Sequence, residues 1–82
     1  MSGYLATFHT HAGAIVGHRA LGRAGIPACM MPVPRRVSSS CGTCVRFEAE
    51  TPDPALFTQD LEAIYREENG RYLKILDPED ST

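Results

Sequence analysis

The sequence has no tryptophan, and only three tyrosines and three phenylalanines stand among its 82 residues. A chain this short hides only about 60% of the surface that its unfolded form exposes. With so few aromatics its core must be thin, about what two helices can cover on one sheet. One domain spanning residues 1–82 is expected, with its core at 4–76 and a frayed acidic tail at 77–82. Also lacking is any apolar run near the roughly 20 residues of a membrane span, and Met1-Ser-Gly-Tyr4 opens no charged segment followed by an apolar one. Positive charge is sparse too. With a net charge of −2 and Lys and Arg scattered from Arg19 to Lys74, no broad basic face exists for a nucleic-acid backbone. These absences predict a soluble cytoplasmic chain with neither membrane nor nucleic acid as partner. Cysteine is scarce and odd in number. Cys29, Cys41 and Cys44, without a secretory signal, argue against a disulfide scaffold and leave thiol chemistry, metal binding or simple burial.

What is present reads as alternating elements. Residues 5–9 alternate apolar and polar, a strand pattern. From His11 the period changes: Ala14, His18, Leu21 and Gly25 form a helical stripe that Thr10 can cap and Gly25, before Ile26-Pro27, can stop. Residues 28–33 form a short apolar run that favours a strand, with Met30 and Met31 on opposite sides, and residues 43–50 alternate again. Asp53-Pro54 is a helix-start signature, and Phe57, Leu61 and Ile64 supply the inward stripe of a second helix reaching about Tyr65. Asn69-Gly70 marks a turn, and residues 72–76 complete a fourth strand. The order β-α-β-β-α-β predicts an α+β, ferredoxin-like sandwich: a four-stranded antiparallel sheet with two helices on one face. The other face would be uncovered, a place for a partner or a second copy in a homodimer.

Hairpin loops of two to five residues are the rule, so the nine residues 34–42 exceed what connection needs. This segment, Pro34-Arg-Arg-Val-Ser-Ser-Ser-Cys-Gly42, places Cys41 where the chain re-enters the sheet. Arg35, Arg36 and Arg46 are the formal charges near it in sequence, Ser38, Ser39 and Ser40 offer hydroxyls, and Gly42 can take a positive φ that turns amides inward. Positive charge and amide donors favour the thiolate, the nucleophilic form of cysteine. The plainer reading is a polar turn with a small half-buried cysteine. A third reading takes Cys41-Gly-Thr-Cys44 as a C-x-x-C redox pair or half of a zinc site, needing ligands from Cys29, His9, His11 or His18. His9 and His11 could face the loop as a base, although such a pair at a strand end is more often plain surface. Glu62, Glu67 and Glu68 look like a solvated helix end, and neither a phosphate loop nor a metalloprotease helix is present. No cofactor or resident metal is expected, and a self-sufficient enzyme is not.

The residues Tyr4-Leu-x-Thr-Phe8, Ala24-Gly-Ile-Pro27, Pro32-Val-Pro-Arg35, Ser38-Ser-Ser-Cys-Gly42 and Arg46-Phe47 resemble those of a family of small bacterial proteins called selenium/sulfur (Se/S) carrier-like, a domain of unknown function. The resemblance covers about residues 4–76. It implies that Cys41 carries a persulfide or selenium adduct between donor and acceptor proteins, with Arg35, Ser38, Ser39, Ser40 and Gly42 as the accompanying motif positions. Cys44 departs from the aliphatic residue associated with its position, so the implied role does not depend on it. The competing reading is an anion-binding or interaction module in which Arg35 and the serine-glycine turn hold a ligand and the thiol is incidental.

Overall fold

A computed structural model describes residues 2–57 and 60–78. The elements are β1 (Ser2–Phe8), α1 (His11–Arg23), β2 (Ala28–Pro32), β3 (Thr43–Ala49), a single 3-10 turn (Pro54–Leu56), β4 (Leu61–Glu68) and β5 (Arg71–Leu76). All five strands form one antiparallel sheet in the order β2-β3-β1-β4-β5. The α+β class and the antiparallel sheet are as expected. The details differ: there are five strands and one helix among the described residues, in place of the four and two of a ferredoxin-like βαββαβ sandwich. Of the expected tail, residues 79–82 lie outside the described residues, as do 58–59 of the expected second helix.

The helix that does form obeys its end signals. The Thr10 hydroxyl accepts from Gly13 N at 3.0 Å, and Gly25, just beyond the last turn, has φ +75°. Its inward stripe is Gly13, Ala14, Gly17 and Leu21. Gly17 lets the helix approach closely, since a Cβ there would stand 2.5 Å from Phe8 Cζ. The core on this face joins Tyr4, Ala6 and Phe8 of β1 to Val45 and Phe47 of β3, with Leu21, Phe57, Leu61 and Ile64. Tyr4 stacks on Phe47 and Phe8 meets Phe57 edge-on.

The expected second helix begins as predicted and then fails. Asp53 Oδ1 accepts from Ala55 N at 3.0 Å, but only one 3-10 turn follows, and residues from Leu61 onward join the sheet as β4. The cause of the misleading period is a β-bulge. Thr7 pairs with Ala63 while Phe8 pairs with Leu61, so Glu62 is an extra residue. The extra residue puts Leu61 and Ile64, three apart, on the same helix-side core. A spacing of three on a bulged strand imitates one face of a helix. Asn69 (φ 52°) and Gly70 (φ 77°) then make the tight turn into β5.

The second face carries its own smaller core of Leu5, Cys44, Ala63 and Tyr65. Contrary to the expected uncovered face, it is not bare, because the β2–β3 connection folds onto it and buries Val37 in that cluster.

Candidate functional site: the cysteine loop

The loop is closed at its neck and anchored at three further places. Val33 N donates to Gly42 O at 3.0 Å, continuing the β2–β3 ladder by one bond. Val37 N donates to Pro34 O at 3.0 Å, a four-residue turn that leaves Arg35 and Arg36 exposed and turns Val37 inward. At the far side, Ser40 N and Ser40 Oγ donate to the two carboxylate oxygens of Glu62, at 3.2 and 2.6 Å. Gly42 has φ +76°, which lets the chain turn back into β3 immediately after Cys41. The Cys41 thiol is half-buried and donates to Thr43 O at 3.3 Å.

Both histidines flank this end of the loop. His11, at the start of α1, brings Nδ1 to 3.3 Å from the Thr43 hydroxyl, and His9, just past β1, has Nδ1 3.7 Å from Glu62 Oε2. Each imidazole therefore reaches a residue that touches the Cys41 segment. His18 instead sits 3.3 Å from Ala28 O and ties α1 to β2. Next to His9, Thr10 N donates to Asp60 Oδ2 at 3.1 Å, and a Cβ on Gly13 would clash with the same carboxylate. Asp60 and Glu62 thus fasten the start of α1 and the end of the loop to the beginning of β4.

The charges differ from the all-positive surround expected. Arg46 is held by Glu67 at 3.2 Å and Glu48 at 3.6 Å, and the charged side chain bonded to the residue before Cys41 is a carboxylate. On a helical reading of its segment, Glu62 carries no signal as a site residue. Placed on a bulge it faces the loop. Val37 was legible in principle, being the only non-proline apolar side chain in residues 34–40.

The three serines and three thiols divide by environment. Ser38 is exposed and lines a cleft of about 200 Å³ with Glu62, Ala63, Tyr65, Lys74 and Asp77. Ser40 is bonded to Glu62. The hydroxyl of Ser39 is buried and has no hydrogen-bond partner. Cys29 is exposed on β2, whereas Cys44 is fully buried under the loop. Burial, with smaller contributions from Cys29 and Cys41, pushes the Cys44 thiol up to about 11, and it donates to Met31 O at 3.5 Å. The C-x-x-C therefore joins an accessible thiol to a sealed one, and no three His, Cys, Asp or Glu side chains among the described residues are grouped to hold a metal.

A family model described as "Putative Se/S carrier protein-like" matches residues 3–76. The chain belongs to this family. No curated protein and no solved structure matches it. The span shared with the Se/S carrier-like family runs from β1 to the last residue of β5 and includes the whole cysteine loop. Among the described residues of this Se/S carrier-like chain, no helix is long and apolar enough to cross a membrane.

Proposed function

We propose that the chain is a noncatalytic carrier that accepts a sulfur or selenium atom on Cys41 from one protein and yields it to another. The observation that carries this reading is the contrast between Cys41 and Cys44. One thiol is half-exposed on a loop held at both ends, and the other is buried and kept protonated three residues away. A carrier needs an accessible nucleophile on a segment that can enter a partner's active site, and no catalytic apparatus of its own.

Loading is a sulfur exchange. The Cys41 thiolate attacks the outer sulfur of a donor persulfide, the donor's S–S bond breaks, and the donor departs as a thiolate that takes up the persulfide's proton. The new S–S bond at Cys41 holds the atom, and an acceptor thiolate removes it by the same exchange. No net oxidant is consumed. The anion-binding alternative is weakened by Glu62, which already occupies the amide and hydroxyl of Ser40 that an anion would use.

Intact mass after treatment with a persulfide donor tests the reading. In a Cys29→Ser background, which removes the other accessible thiol, the parent and Cys44→Ser are expected to gain a sulfur that Cys41→Ser does not retain. Equal loading of the Cys41→Ser variant would end the carrier reading.

A further inference from the structure

Buried hydroxyls are almost always hydrogen-bonded, and one left without a partner in a native fold calls for a reason. Among the buried side-chain nitrogen and oxygen atoms of the described residues, the Ser39 hydroxyl is the one without a partner. Its neighbours in the chain have settled roles. Val37 is buried against the second sheet face, Ser38 is exposed, and Ser40 is fixed to Glu62 through both its amide and its hydroxyl. Ser39 itself is half-buried, with its hydroxyl turned inward between the buried Val37 and the anchored Ser40. It stands two residues before Cys41, and two residues span at most about 7 Å between Cα atoms. A further sulfur bonded to Cys41 extends the side chain by about 2 Å.

We infer that the Ser39 hydroxyl is the hydrogen-bond donor to the sulfur or selenium atom carried on Cys41. The inference rests on the carrier reading and deepens it by giving one hydroxyl of the three a separate task. The unloaded protein keeps a donor unpaired, and loading supplies the acceptor, the anionic terminal atom of the adduct. The cost of the unmet hydroxyl in the free state is thereby turned into a preference for the loaded one. Ser38 and Ser40 do not share this task, because one faces solvent and the other is committed to Glu62.

The test uses the full chain in a Cys29→Ser background, so that added sulfur reports on Cys41, with sodium tetrasulfide as the probe. The Cys41 thiolate takes one terminal sulfur from tetrasulfide, forming the S–S bond of the adduct and releasing trisulfide. Two opposite effects are expected of Ser39→Ala. The urea midpoint of the unloaded protein rises, because an unpaired buried hydroxyl is gone. The tetrasulfide concentration for half-loading, read by intact mass, rises about tenfold, because the adduct has lost a hydrogen bond to a charged atom. Ser39→Thr restores loading, and Ser38→Ala changes neither reading. A lowered urea midpoint in Ser39→Ala would mean that the hydroxyl already has a partner, such as a buried water, and would overturn the inference. Unchanged half-loading would overturn it while leaving the carrier reading intact. Failure of the Cys41-bearing parent to load would overturn both.

Discussion

The two faces of the sheet are made by the same strands and closed in opposite ways. On one, α1 lies close over an aromatic layer of Tyr4, Phe8, Phe47 and Phe57, with Gly17 cut away to admit it. On the other, an irregular loop is held down by one valine, one carboxylate and the bond at its neck. A helix satisfies its own backbone and can be pressed flat on a core. A loop depends on a few contacts and can be lifted from them at modest cost. The half-buried thiol of Cys41 belongs to the second kind of cover, and the difference separates what holds the fold from what lies over it.

The largest expected effect is on the helix face. Phe8→Ala removes a fully buried ring that packs edge-on against Phe57 and should cost about 3–5 kcal/mol in urea unfolding. On the loop face, Val37→Ala should cost only about 1–2 kcal/mol. The same substitution should raise the rate at which iodoacetamide alkylates Cys41, since the loop loses its apolar anchor. Equal losses for the two variants would break the comparison by showing that the loop face holds the fold as firmly as the helix face. The smallest effect is on pH dependence. Because the fold raises the Cys44 thiol from 9.0 to about 11, the stability linked to that proton is complete below pH 9 and is lost as pH rises towards 11. Cys44→Val should flatten the fall of the urea midpoint across this range, and identical slopes would assign the titration to another group.

Much of this arrangement was legible because its signals are local. Thr10 caps, Gly25 stops, Asn69-Gly70 turns, and the apolar run at residues 28–33 and the alternation at 43–50 became β2 and β3 with little change of bounds. The excess length of residues 34–42 and the place of Cys41 at their end were likewise visible in order and spacing. What was not legible depends on pairing. Whether Leu61 and Ile64 share a helix face or flank a bulge is decided by their register against Thr7 and Phe8, which no window of residues around them contains. On a helical reading of that segment Glu62 is solvent surface and has no match with Ser40. The uncovered second face followed from the same limit, since only the folded loop shows that Val37 reaches it.

The bulge at Glu62 gives β4 one residue more than its core face needs. Deleting Glu62 would restore plain alternation with Leu61 two residues from Ile64 and still on the aromatic side, but would withdraw the carboxylate that grips Ser40. The described segment before it, from Thr51 to Leu56, has no such contact with the loop at its exposed residues. In the descent of such chains, length variation should therefore gather between Glu50 and Leu56 and be excluded between Leu61 and Tyr65, so that the spelling of one strand keeps the thiol's seat in place.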